Sequence, residues 1–277
     1  MAPLFQIVSD LHLETRAGYE TRLPQTAPNL ALLGDIGQVA DDGLFVFLEK
    51  QLRRYWNVFF LLGNHEPLHT SWQLAKARVR EFAERMERRR ARSTLGRFVF
   101  LDQTRHDLDG TLTTILGCTL FSAVTSDQQA AVASRLVDFR QIRDGWSVSD
   151  HNAAHASDVR WLNDQVAAIA SGEPSRTIVI FTHHCPTLDN RTVAPQNQAS
   201  PVSSGFSTDL SSQPCWTSPN VILWAFGHTH FNCDYVDSAT GKRIVANQAG
   251  YAMAAEGDFD GKKVFELGRP TVHDQLT

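Results

Sequence analysis

The chain's fold turns on "FFLLGNHEP", residues 59–67, where an apolar run breaks at Gly63 into Asn64, His65 and Glu66. Three polar side chains of different chemistry against a strand end are costly to bury, so they form either an ordinary turn or a working site. Four other strand-like runs end the same way. "LFQIV" (4–8) is followed by Ser9, Asp10, Leu11 and His12, and "LALL" (30–33) by Gly34 and Asp35. "TIVIF" (177–181) runs into Thr182, His183 and His184, and "VILWAF" (221–226) into Gly227, His228, Thr229 and His230.

In an open α/β sheet, ligands bind outside the carboxyl ends of the strands, so five such ends on neighbouring strands converge on one site. Asp, Asn and His offer oxygen and imidazole donors suited to first-row divalent metals, and no Cys-x-x-Cys pair supports a structural zinc site. The number of donors suits two cations, whose mutual repulsion calls for a bridging anion. Asp35, at the end of a central run, is the natural bridge. In Asp10-x-His12 and His228-x-His230, alternate residues of an extended segment would face the same side. Each cluster alone is ordinary turn chemistry; the set of five points to a metal site.

Around these runs the chain alternates strand and helix patterns. Further strand-like runs are "FVFL" (98–101), "LTTILG" (112–117), "RIVAN" (243–247) and "KVFEL" (263–267). Asp41 or Asp42 is placed to cap a helix to about Arg54, Thr70 or Ser71 another to about Arg92, and a third spans about 152–170. The alternation predicts an α/β fold with parallel pairing in the first half. Short turns such as Ser238–Gly241 predict antiparallel pairing among the later strands. Residues 122–150 and 187–220 are polar and irregular, as active-face loops are. The expectation is a single domain over 1–277.

At 277 residues, 42% hydrophobic and 20% charged, the chain has the composition of a globular protein with a sizeable core. A formal charge of -4 gives no overall electrostatic footprint for nucleic acid or an anionic membrane. The arginines between Lys76 and Arg97 accompany Val79, Phe82, Ala83 and Met86 at helical spacing, which makes them a solvated helix face. Four unpaired-looking cysteines (118, 185, 215 and 233) and no signal or membrane-spanning run predict a reduced, cytoplasmic setting.

Taken in order, "SDLH", "GD", "GNHE", "THH" and "GHTH" resemble the calcineurin-like metallophosphoesterase superfamily, and most of all its small stand-alone members, from Ser9 to about Tyr251. "DFRQI" (138–142), "FSTDL" (206–210) and "NQAGY" (247–251) also match that pattern. The resemblance implies a four-layer α-β-β-α sandwich with mixed sheets and a dinuclear metal site at the C-terminal strand ends. It implies that Asp10, His12, Asp35 and His230 hold one divalent ion (Mn, Fe or Zn), and that Asp35, Asn64, His183 and His228 hold the other. His65 matches the family's catalytic histidine. His184 is a candidate phosphate contact, and Glu66 a candidate support for His65 or a metal-bound His. Cys185 follows His184, where a thiol beside cations would tend toward thiolate. Gln248 and Ala249 stand where many relatives carry Pro-Arg, so an arginine contact to phosphate is not expected there.

These residues predict hydrolysis of a phosphodiester or phosphomonoester by a metal-bridging hydroxide, with His65 serving the leaving oxygen. The expected partner is a small phosphorylated substrate, nucleotide-like molecules included, rather than nucleic acid or membrane. A non-catalytic scaffold of the same fold would lack part of the constellation, and every position is filled. A nuclease would need a basic groove.

Overall fold

Phe5, Phe59 and Phe181, from three of the apolar runs, meet with ring centroids 5.4–6.4 Å apart in the middle layer of the molecule. A computed structural model describes residues 2–15, 18–251 and 259–268. Two sheets pack face to face. The first has the order β11-β1-β2-β3-β4, from β1 (Leu4–Val8), β2 (Asn29–Leu33), β3 (Asn57–Leu61), β4 (Arg97–Phe100) and β11 (Val264–Glu266). The second has the order β5-β6-β7-β8-β10-β9, from β5 (Thr104–Asp107), β6 (Thr113–Gly117), β7 (Thr177–Phe181), β8 (Val221–Phe226), β9 (Cys233–Val236) and β10 (Arg243–Ala246).

Strands buried on both faces read as continuous apolar runs, and β2, β6 and β8 are buried at every residue. Alternate residues then feed different layers. Ala31, Leu33, Phe59, Leu61, Val179 and Phe181 fill the space between the sheets. Leu30, Leu32, Val58 and Phe60 face the other way, onto α1 (Asp42–Leu52) and α2 (Trp72–Arg90). Ile178, Ile180, Trp224 and Phe226 face Leu162, Val166 and Ile169 of α5 (Val148–Gly172). The result is the expected four-layer α-β-β-α sandwich.

The helix starts carry their own explanations. Ser71 caps α2 by accepting from Leu74 N at 3.3 Å. Asp41 stands at the N-cap of α1, but its carboxylate accepts from the Tyr19 hydroxyl at 2.9 Å instead of capping. Helix α5 begins four residues before the expected start, because Ser147 and Asp150 form a reciprocal capping box.

Pairing in the second sheet differs from expectation. The hairpin through Asp237–Lys242 makes β9 and β10 antiparallel, but β10 runs parallel to β8. The turn fixes only the strands it joins. Two edge strands, "TRHD" and "CDYV", lack apolar runs because an edge strand buries little. The polar stretch 122–150 contains α3 (Gln129–Arg135) and α4 (Asp138–Gln141). Residues 187–220 contain three 3-10 turns and α6 (Pro214–Thr217).

The arginines of α2 are ion-paired on its outer surface: Arg89 with Glu49, Arg90 with Glu87 at 2.8 Å and Arg88 with Glu84 at 3.7 Å. Among the described residues, no helix is long and apolar enough to cross a membrane.

Candidate metal centre

The parallel strands β1, β2 and β3 of one sheet and β7 and β8 of the other end at the same edge of the sandwich. Three sets of donor atoms gather there, each within 4.8 Å of one another: Asp10, His12 and His230; His12, Asp35 and His65; and Asp35, His183 and His228. His12 Nε2 stands 3.1 Å from His230 Nε2, which is 3.2 Å from Asp10 Oδ1. His183 Nε2 stands 3.2 Å from Asn64 Oδ1 and 3.5 Å from Asp35 Oδ2. Asp35 Oδ2 is also 3.9 Å from His12 Nε2 and so links the two groups. Donors about 2.1 Å from a shared cation and at right angles stand roughly 3 Å apart, which is the spacing seen here.

The hydrogen bonding singles out particular atoms. Asp35 Oδ1 accepts the His65 backbone N–H at 2.8 Å, while its buried partner Oδ2 accepts no hydrogen bond among the described residues. His228 Nε2 is likewise buried without a hydrogen-bond partner among the described residues. An ionised oxygen and an imidazole nitrogen left bare at this depth are costly, and a divalent cation satisfies both. Burial pushes the Asp10 and Asp35 carboxyls up, but the surrounding imidazoles pull both below the usual range. Burial and His183 bring His228 down to about 3, so it stands as the neutral imidazole a metal requires.

The local backbone is unusual. Asp10 (φ 54°), His12 (46°), Asp35 (52°), His228 (70°) and His230 (49°) all occupy the left-handed region, which costs a non-glycine residue roughly 1–2 kcal/mol. The Asp-x-His and His-x-His segments are therefore not extended. Left-handed turns, rather than strand alternation, aim both members of each pair inward. Close approach of the strand ends also needs glycine at position 63, where a Cβ would lie 2.7 Å from both Asp35 N and His183 Cε1.

The residues in support differ in part from those expected. The Glu66 carboxylate is taken up by backbone groups: it accepts from Gly63 N (2.7 Å), Ile36 N (2.8 Å) and Asp35 N (2.9 Å), strapping the β2 end to the β3 end. Burial and Asp35 raise its pKa to about 8, against the pull of those donors.

Glu14 takes the orienting role, with Oε1 3.0 Å from His65 Nδ1 and 3.2 Å from His12 Nδ1. His65 Nε2 faces the Tyr251 hydroxyl at 3.0 Å, and the Tyr251 ring stacks on His12 at 4.3 Å. Burial lowers the His65 pKa, but the Asp35 and Glu14 carboxylates outweigh it and raise the value to about 9. Asp138 Oδ1 accepts from Asn64 Nδ2 at 2.9 Å, which turns Asn64 Oδ1 toward His183.

His184 is fully buried behind the cluster, with its ring 4.3 Å from that of His228 and both nitrogens unpartnered among the described residues. His183, not His184, stands among the donors. Cys185 is also buried, and burial raises its pKa, so it is not a thiolate; its Sγ contacts Thr187 O at 3.2 Å. Gln248 clamps the "GHTH" turn, accepting from His230 N at 2.7 Å and donating to Thr229 Oγ1 at 2.9 Å.

An α-β-β-α sandwich carrying a buried Asp/His cluster with cation spacing at one edge defines a class, the metal-dependent phosphoester hydrolases. Within that class the chain belongs to the calcineurin-like phosphoesterases, whose family model matches residues 5–232. It is 24% identical over 275 residues to uncharacterized protein L509 of Acanthamoeba polyphaga mimivirus, spanning 90% of this chain and 91% of that one. Two solved structures share the fold. A phosphopantetheinyl hydrolase from Mycobacterium tuberculosis matches with TM-score 0.62 and 16% identity over 91% of each chain. A dimetal phosphatase from Danio rerio matches with TM-score 0.51 and 12% identity over 88% of this chain and 87% of its own.

Proposed function

We propose that the protein is a two-metal phosphoesterase acting on a small phosphodiester or phosphomonoester. Asp10, His12, Asp35 and His230 would hold one divalent cation, and Asp35, Asn64, His183 and His228 the other. The observation that carries this reading is Asp35 Oδ2, buried, ionised, unpartnered and lying between the imidazoles of His12 and His183. When bound, the cations supply Lewis acidity toward the phosphoryl oxygens and lower the pKa of a coordinated water.

The remaining chemistry falls to side chains of this chain. Glu14 holds His65 Nδ1, which leaves Nε2 to serve the departing oxygen as the proton donor. The Tyr251 hydroxyl stands 3.0 Å from Nε2, in the place the departing oxygen would take. Asp138 fixes the Asn64 amide with its oxygen inward, and Glu66 fixes the spacing of the two strand ends that carry Asp35 and Asn64.

Elemental analysis of the purified protein is expected to give close to two Mn, Fe or Zn ions per chain, with hydrolysis of bis(p-nitrophenyl) phosphate. Protein that neither binds metal nor gains esterase activity on Mn²⁺ addition removes this reading.

A further inference from the structure

A cavity of about 340 Å³ opens beside the candidate centre, walled by residues 187–207 and Thr229. It adjoins the centre at two points. Phe206 lines it and stacks on the His228 ring (centroids 4.6 Å apart, planes at 22°), and Thr229 lies between His228 and His230 in sequence. Its wall is built rather than loose: Cys185 N donates to Phe206 O at 3.1 Å, and Thr208 N donates to Cys185 O at 3.0 Å.

The lining chemistry is specific. Leu188, Val193, Val202 and Phe206 supply apolar lining, and Asn197 and Thr229 are among the amide and hydroxyl groups that line it with them. Among the described residues that line the cavity, none is charged. The charged residues of the same segment are engaged with each other: the Arg191 guanidinium pairs with Asp189 at 2.7 Å and lies 3.7 Å from the Tyr235 ring centroid. Leu188, one of the lining residues, is 60% exposed and so accessible from solvent.

Resting on the phosphoesterase reading of the adjoining site, we propose that this cavity seats the organic group of the substrate. That group is an uncharged aliphatic alcohol bearing amide or hydroxyl functions. A pocket lined by apolar, amide and hydroxyl groups without charge leaves a charged group without a counter-ion, so esters with a second phosphate, a carboxylate or a quaternary amine are selected against.

The test uses three p-nitrophenyl phosphodiesters that share one chromogenic leaving group and differ in the second alcohol: N-acetylethanolamine, choline or glycolate. The neutral ester is expected to have kcat/KM at least about tenfold above either charged one, the scale on which pocket contacts discriminate. Leu188→Glu, at an exposed position, should move the choline-to-acetylethanolamine ratio upward about fivefold or more.

A second readout needs no metal or turnover. Saturation-transfer NMR on chelator-treated protein should show N-acetylethanolamine bound, and Asn197→Trp, filling the cavity from an exposed position, should abolish the signal. Hydrolysis without charge preference, or a ratio unmoved by Leu188→Glu, overturns the pocket assignment and leaves the phosphoesterase reading standing. No hydrolysis together with saturation transfer that is lost in Asn197→Trp overturns the hydrolase reading while the cavity keeps its ligand class. Absence of both overturns both.

Discussion

Replacing Asp138 with alanine removes the acceptor that holds Asn64 Nδ2 at 2.9 Å in a buried setting. With that bond in place, Asn64 Oδ1 stands 3.2 Å from His183 Nε2, facing inward. Without it, the amide loses a hydrogen bond to a charged group, worth about 1.5–3 kcal/mol, and can present its NH2 where the oxygen stood. Mutation of such supporting partners typically costs about 10–100-fold in metal affinity, or roughly 1.4–2.7 kcal/mol. The two estimates agree, so Asp138→Ala is expected to weaken one of two Mn²⁺ binding steps by about 10–100-fold and leave the other nearly unchanged. Asp138→Asn keeps a carbonyl acceptor and should lose much less. The assay is isothermal titration of chelator-treated protein with Mn²⁺, with a urea unfolding curve for each variant as the control for folding. A loss under twofold in Asp138→Ala, or equal losses in the two variants, would refute the reasoning that this carboxylate orients Asn64.

Other expectations follow from the same geometry. His65→Ala should retain metal by elemental analysis and lose about 10²–10⁴-fold in kcat, the usual worth of a positioned proton donor. Gly63→Ala puts a Cβ 2.7 Å from Asp35 N and His183 Cε1. It should lower stability by about 1–3 kcal/mol and sharply reduce the rise in Tm on adding Mn²⁺.

Lys242 is 1% exposed and donates to Trp216 O; burial lowers its pKa from 10.5 to about 8. The unfolded chain thus binds more protons between pH 8 and 10.5, so stability rises with pH across that window, by about 3 kcal/mol at full extent. Lys242→Met should abolish this rise in urea titrations at several pH values and leave stability at pH 7 unchanged or higher.

The layers of the fold were legible wherever burial forces a run of apolar residues, as in "VFFLL" and "VILWAF". The edge strands "TRHD" and "CDYV" were not, since solvent accepts their outer faces and the sequence carries no apolar signature. The donors were legible because each stands immediately past a strand end, where chain order alone places them. Their supports were less so. Glu14 reaches His65 across 51 residues, Asp138 reaches Asn64 across 74, Tyr251 reaches His65 across 186 and Gln248 reaches His230 across 18, and nothing local marks a side chain whose partner is so distant. "DFRQI" and "NQAGY" were visible as motifs, but the hydrogen bonds that give them meaning, Asn64 to Asp138, His230 N to Gln248 and the contact between Tyr251 and His65, were not. Glu66 was legible as a support for the neighbouring site residues, but not that its carboxylate turns back to three backbone N–H groups, Asp35 N among them. The left-handed turns at five donors were also hidden, since neither Asp nor His announces a positive φ.

In the proposed two-metal site, Asp35 would serve both cations. Electron paramagnetic resonance of the chelator-treated protein reloaded with Mn²⁺ tests this most directly. The wild type is predicted to take up two ions per chain and give the spectrum of an exchange-coupled pair, and Asp35→Asn to lose both the coupling and at least one ion. Two uncoupled ions or a single ion in the wild type, or a coupled pair that survives in Asp35→Asn, would contradict the account.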